Sequence, residues 1–134
     1  MKQPIGQFSG KNWILTETWE CKLSPVYRLP ALNITVLPGF TSDGASIPRI
    51  LWPLVGPRFA PETFAAAFAH DALYGAHLTR RAYADYQFYF LLRELDVRRI
   101  KAESYWAAVR TCGWFAWRKS KEEIESARKF INLS

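Results

Sequence analysis

The stretch FAAAFAHDALYGAHLTRRAYAD, residues 64–85, constrains the fold of this chain more than any other. Its Ala-rich first half has high helix propensity. Gly75 is typical of a helix end, and Thr79 is typical of the N-cap of a second helix. Helices joined by so short a link usually lie antiparallel. The pattern therefore predicts a helical hairpin formed by residues 61–75 and 80–94.

Both histidines of the chain lie in this stretch, and their spacing suggests a site. If the bend is centred near His77, then His70 lies seven residues before it and Asp85 eight residues after it. The two side chains are then at similar heights on helices whose axes lie about 8–10 Å apart. The spacing predicts a hydrogen bond that fixes the imidazole tautomer and supports a general base. The alternative is a core histidine held by a carboxylate.

The remaining patterns predict a single domain, residues 1–134, of the α+β class and mainly helical. A third long helix is expected over residues 100–117, and a short C-terminal helix over residues 121–131. Alternating apolar residues predict a small antiparallel sheet from residues 13–37. Residues 1–12 are expected to be a flexible arm.

A loop rich in Gly, Ser and Pro, GFTSDGASIPRILWPLVGP, precedes the hairpin. Its Asp43-Gly44 dipeptide is typical of a tight turn, where a carboxylate and backbone carbonyls converge as Ca²⁺ requires. An ordinary surface turn is the alternative, and the calcium interpretation requires Asp43 to meet Asp71. The apolar part of the loop is typical of the wall of an acyl groove, and equally of a cover for the core. Its candidate contacts with lipid or a partner are Trp52, Leu54 and Val55.

The charge of +6 is concentrated in the helical second half. A basic face with aromatic residues suits nucleic acid or anionic lipid, but a solvated face is commoner, so no nucleic-acid partner is expected. No apolar run reaches the roughly 18 residues of a membrane span, and the first residues lack the apolar core of a signal peptide. Cys21 and Cys112 are expected to be free thiols.

Four segments, VLPGFTSDGASIPRILWPLVGP, AAAFAHDALY, RRAYADYQF and YWAAVRTCGWFAW, resemble a phage-borne family of uncharacterised proteins. The resemblance covers residues 13–118. It implies a phage gene product, in the host cytoplasm or in the virion, and implies no particular activity.

The order SDGAS, HDALY, RRAYADYQF, SYWAAVR is also more distantly similar to the prokaryotic and fungal secretory phospholipases of the A-two type. That resemblance implies a loop that binds Ca²⁺, a His-Asp pair supplying the base and a further ligand, and an Asp that orients the base. The family's cysteines beside the loop and before the His-Asp pair are missing here, and no signal sequence is seen. The implied calcium ligands are Asp43, the Gly44 carbonyl and Asp71, the base is His70, its orienting partner is Asp85, and Tyr74 supports the pair.

The expected function is a Ca²⁺-assisted ester hydrolase acting on lipid or the cell envelope during phage entry or lysis. The alternative is a non-catalytic virion protein of the tail or neck, whose partners are other virion proteins. A metal-dependent phosphohydrolase is a third class, but it normally needs several histidines around two metals, and this chain has two in all. In the first two classes, the Trp-rich surface around Trp52 and Trp114 should be buried by core, lipid or partner.

Overall fold

The computed structural model describes residues 1–26, 28–42 and 60–134. The expected α+β class is confirmed, because helices form most of the regular structure and two small antiparallel sheets accompany them. No helix in the described part of the chain has the length and apolar character that a bilayer crossing demands.

The predicted hairpin is present as α1, Phe64–Ala76, and α2, Arg81–Glu94, which pack against each other. Its boundaries differ from the prediction. Residues 60–63 form a turn before α1, and His77 ends α1 in the left-handed conformation, with φ 49°. Thr79 is not the N-cap of α2, because extended Arg80 holds that position without a side-chain cap. Arg80 has the extended backbone that an N-cap residue adopts, so α2 begins after it although Arg80 offers no side-chain acceptor. Thr79 therefore predicted the N-cap one residue too early.

The predicted third helix is divided into α3, Arg99–Cys112, and α4, Trp114–Trp117. The break falls at Gly113, where a Cβ atom would lie 2.3 Å from the Val109 carbonyl oxygen and 2.5 Å from the Tyr74 hydroxyl oxygen. Glycine is therefore required there for close approach of the backbone to α1.

The C-terminal helix is shorter than predicted. α5 covers Lys121–Arg128, and it begins with a capping box in which Ser120 and Glu123 exchange hydrogen bonds. The residues that follow leave the helix and form strand β6, Ile131–Leu133. Ile131 is buried in that strand opposite Val36, so tertiary pairing overrides the helical pattern.

The first sheet has the order β1-β2-β5, with β1 at Gly6–Ser9, β2 at Asn12–Leu15 and β5 at Thr41–Ser42. The expectation of a flexible arm over residues 1–12 is therefore wrong for this part of it. The four residues of β1 pair antiparallel with β2, and the turn between them is closed by Gly10 at φ 62°.

The second sheet has the order β3-β4-β6, with β3 at Trp19–Lys22 and β4 at Asn33–Val36. Residues 13–22 are thus two strands in different sheets and not one strand. The alternation of buried residues continues across both, but Glu17 occupies an inward position of that pattern and is exposed. An unpaired carboxylate is costly to bury, so the chain bends there.

The core joins both sheets to the hairpin at Phe68 of α1. Its ring is met edge to face by Trp13, Trp19 and Phe40, with centroid distances of 5.3, 5.3 and 5.6 Å. Trp13 lies in the first sheet and Trp19 in the second, so one aromatic side chain fixes both sheets against α1. Edge-to-face pairs of this kind add roughly 0.5–1.5 kcal/mol each beyond the area they bury. The opposite side of α1 is left to face α2 and carries the polar residues described next.

Candidate functional site

Asp85 of α2 is the centre of a buried polar cluster between the two hairpin helices. Its side chain is 0% exposed, and that of its neighbour His70 is 1% exposed. The Nε2 of His70 lies 2.8 Å from Oδ1 of Asp85, and the hydroxyl of Tyr74 donates to the same oxygen at 2.6 Å. His70 and Tyr74 are four residues apart on α1, so both side chains lie on one face of that helix. The predicted hydrogen bond between His70 and Asp85 is confirmed.

The other carboxylate oxygen of Asp85 is held by two arginines. The guanidinium of Arg110 in α3 donates to Oδ2 at 2.7 Å, and Arg81 lies 3.7 Å from the same atom. Arg81 also donates to the carbonyls of Val109 and Arg110, so it joins the end of α3 to the start of α2. The cluster therefore connects three helices.

These contacts decide the charge of the cluster. Burial alone would raise the pKa of the Asp85 carboxyl, but hydrogen bonds and attraction from His70, with hydrogen bonds from Tyr74 and Arg110, outweigh it and lower that pKa. Burial, then the hydrogen bond to Asp85, raises the pKa of Tyr74. Asp85 is thus an ionised acceptor, and Tyr74 is a neutral donor.

An ionised Asp85 fixes the tautomer of His70. The carboxylate can only accept, so the proton of a neutral imidazole is on Nε2 and the lone pair is on Nδ1. The ring is held between Tyr74 and Phe88, with centroid distances of 4.1 and 4.8 Å. Within the described residues, no side chain or backbone group makes a hydrogen bond to Nδ1. This nitrogen can therefore serve as a proton acceptor.

Asp71 follows His70 but faces a different part of the molecule. Its carboxylate accepts a hydrogen bond from the hydroxyl of Ser42, the last residue of β5. Both residues border a cavity of about 620 Å³ between β5, α1 and α5. Tyr74 also borders this cavity, so it lies between the cavity and the His70–Asp85 pair. Polar residues from α5 and the segment before it, Lys119 among them, complete the wall.

The proposed calcium set extends beyond what the structure describes. Asp43 and Gly44 lie outside the described residues, and so do the candidate contacts Trp52, Leu54 and Val55. In residues 1–26, 28–42 and 60–134, no group of three or more His, Cys, Asp or Glu side chains is placed to hold a metal. Of the residues predicted to act together, the structure unites His70, Tyr74 and Asp85, and it directs Asp71 towards Ser42.

Three members of the site were not predicted from the sequence. Arg81 had a signal, because it precedes Asp85 by four residues on a helix, the spacing of an ion pair. Arg110 lies 25 residues from Asp85, and only the rule that a buried carboxylate needs compensation points to such a cation. Ser42 had no signal beyond its position before Asp43.

Comparison with protein families gives a match over most of the chain. A family model described as a protein of unknown function, DUF1353, matches residues 19–109. The chain belongs to the DUF1353 family. The DUF1353 region contains β3, β4 and the whole hairpin, and therefore His70, Asp71 and Asp85, while Arg110 is the first residue after it. Neither the curated proteins nor the solved structures gave a match to the chain.

Proposed function

We propose that this DUF1353 protein is phage-encoded, is distantly related to phospholipases of the A-two type, and hydrolyses esters of lipid or cell envelope with the assistance of Ca²⁺. The observation that carries the proposal is the hydrogen bond of 2.8 Å from buried His70 to Asp85, which leaves Nδ1 as the basic nitrogen. A histidine oriented by a carboxylate is the usual arrangement for a general base.

The chemistry assigned to the chain's own residues is proton transfer. Nδ1 of His70 takes a proton from water while the water oxygen bonds to the ester carbonyl carbon. The same proton then goes to the departing alkoxide oxygen as the carbon–oxygen bond breaks. Asp85 stabilises the transient imidazolium, and Tyr74 holds Asp85 in place. Hydrogen bonds from His70, Tyr74 and Arg110 keep the Asp85 carboxylate ionised.

The Asp71 carboxylate and the Ser42 hydroxyl lie together, and both offer the oxygen ligands that a hard cation prefers. Asp71, Asp43 and the Gly44 carbonyl would hold Ca²⁺. Ser42 donates a hydrogen bond to Asp71 and directly precedes Asp43 in the sequence. When bound, Ca²⁺ would polarise the ester carbonyl and stabilise the developing oxyanion.

The test uses a short-chain phospholipid below its micelle concentration, so that binding to a bilayer plays no part. Fatty-acid release and calorimetric Ca²⁺ binding are measured for the parent, Asp71→Asn and His70→Gln. Asp71→Asn is expected to lose both Ca²⁺ binding and fatty-acid release. His70→Gln is expected to bind Ca²⁺ like the parent, with a rate of fatty-acid release at least about a hundredfold lower. Asp96→Asn, at an exposed carboxylate, is the matched control. A parent that neither binds Ca²⁺ nor releases fatty acid contradicts the proposal.

A second candidate function is a non-catalytic virion protein. The observation that favours it is that Asp85 bonds to donors from α1 and α3 and so acts as a structural joint between helices. In that case the partners are other virion proteins, and His70→Gln would weaken folding without changing any turnover. Co-purification of the chain with intact phage particles would support this candidate.

A further inference from the structure

The short helix α4 presents exposed aromatic side chains. Trp114 is 41% exposed and Phe115 is 66% exposed, and none of the four residues of α4 is fully buried. The two rings stack on each other with centroids 3.7 Å apart. A stacked pair of large apolar side chains left in water is typical of a contact surface.

The bend of the hairpin lies against the same helix. The ring of His77 stacks on Trp117 at 3.8 Å, and its Nε2 donates to the Trp117 carbonyl at 2.8 Å. Leu78, the next residue, is 42% exposed. We use the name α4 surface for the exposed side chains of Leu78, Trp114, Phe115 and Arg118.

The α4 surface is positively charged. Arg118 is exposed, and its guanidinium lies over the ring of Trp114, 6.0 Å from its centre. Of the three acidic residues in α5, Glu122 and Glu123 border the 620 Å³ cavity, whereas the members of the α4 surface do not. An anionic occupant therefore matches this surface.

We propose that the α4 surface binds the interface of an anionic phospholipid bilayer. Trp and Phe side chains partition to the level of the headgroups, and Arg side chains beside them bind lipid phosphates. This surface is separate from the cavity beside Asp71, so the inference goes beyond the proposed hydrolysis and does not depend on it.

Two other occupants fit less well. Base stacking by nucleic acid needs an open ring face, but the Trp114 ring already stacks on Phe115, and the Arg118 guanidinium lies over it. A two-fold contact with a second copy would place Arg118 of both copies at one interface, where like charges repel.

The test is co-sedimentation with vesicles of phosphatidylcholine alone or mixed with phosphatidylglycerol, in the presence of a chelator. The background is His70→Gln, so that turnover cannot alter the vesicles. Binding is expected only to the mixed vesicles and should fall with added salt. Trp114→Ala with Phe115→Ala should weaken it more than about tenfold, because the inserted apolar area is lost. Arg118→Gln should weaken it about fivefold, since a basic residue near the surface contributes about 1 kcal/mol.

The control is Tyr86→Ala, which removes an exposed aromatic residue from the middle of α2 and should leave binding unchanged. Circular dichroism checks folding, and Arg118→Gln carries the test if the double variant unfolds. Equal binding to both vesicle types overturns the proposal, as does a double variant that binds like its parent. Tighter binding to an oligonucleotide than to the mixed vesicles assigns the surface to nucleic acid and overturns it too. A stable dimer that dissociates when Trp114→Ala and Phe115→Ala are combined would also overturn the proposal.

Discussion

Removing the carboxylate of Asp85 is the sharpest test of the buried cluster. In Asp85→Ala, the N–H of buried His70 and the hydroxyl of buried Tyr74 lose their acceptor. Each stranded buried donor costs about 1–3 kcal/mol, so the pair costs about 2–6 kcal/mol. Arg110 is 31% exposed and water can partly replace its partner, so it adds less than about 1 kcal/mol. The sum is a large part of the roughly 5–15 kcal/mol that stabilises a typical domain.

Asp85→Asn removes the charge of the side chain and keeps its shape. It keeps one oxygen that can accept from His70 and Tyr74, and it loses the attraction to Arg110, so a cost of about 1–3 kcal/mol is expected. The matched control is Asp96→Asn, which removes a carboxylate at an exposed residue with φ 64°, a conformation that Asn tolerates. The assay is urea unfolding of the three variants and the parent, with the slope of the transition checked for constancy.

The pH dependence gives a second readout. The folded state holds the pKa of Asp85 below its ordinary value of 3.8. The stabilisation is therefore fully present above that ordinary value and is lost as pH falls through the lower folded pKa. The difference between the parent and Asp85→Asn should be constant near neutrality and should shrink in acid. A difference below about 0.5 kcal/mol, or one that does not change in acid, would refute the reasoning.

Two further predictions concern the neighbours of this cluster. Gly113→Ala should destabilise the fold and displace the Tyr74 hydroxyl, because its Cβ would lie 2.5 Å from that oxygen; Gly113→Ala combined with Tyr74→Phe should recover part of the lost melting temperature. Burial, then the charges of Lys119 and Arg128, lowers the pKa of His77 below 6.5 against the opposing effect of its bond to the Trp117 carbonyl. The unfolded chain therefore takes up a proton first, and the parent should lose stability as pH falls below about 6.5, whereas His77→Asn should lose less over the same range. Urea unfolding at several pH values measures this slope, and equal slopes would count against a neutral His77 in the folded state.

The hairpin and its His-Asp contact were predictable because the information is local. Residues 64–85 contain the helix formers, the bend and both partners of the hydrogen bond, so a count of residues from His77 sufficed. The same locality explains why Arg81 could have been found from its spacing to Asp85.

The parts that were missed depend on contacts distant in sequence. The alternation over residues 13–22 is continuous, so it does not indicate that Trp13 and Trp19 belong to different sheets. Both tryptophans contact Phe68, which lies more than 45 residues later in the sequence. Gly113 was visible as a weak point in a helix, but the sequence does not show that the Tyr74 hydroxyl of another helix lies where its Cβ atom would be.

Strand β6 has a consequence for the order in which the polypeptide is made. It pairs with β4 through partners such as Ile34 and Leu133, which are 99 positions apart. At a synthesis rate of roughly 5–20 residues per second, the β3–β4 hairpin waits about 5–20 s for its third strand. During that interval the edge of β4, with Ile34 and Val36 on its apolar side, is open to other strands. Nascent chains on one polysome share this interval, so the speed of translation between β4 and β6 should influence how much of the protein escapes aggregation.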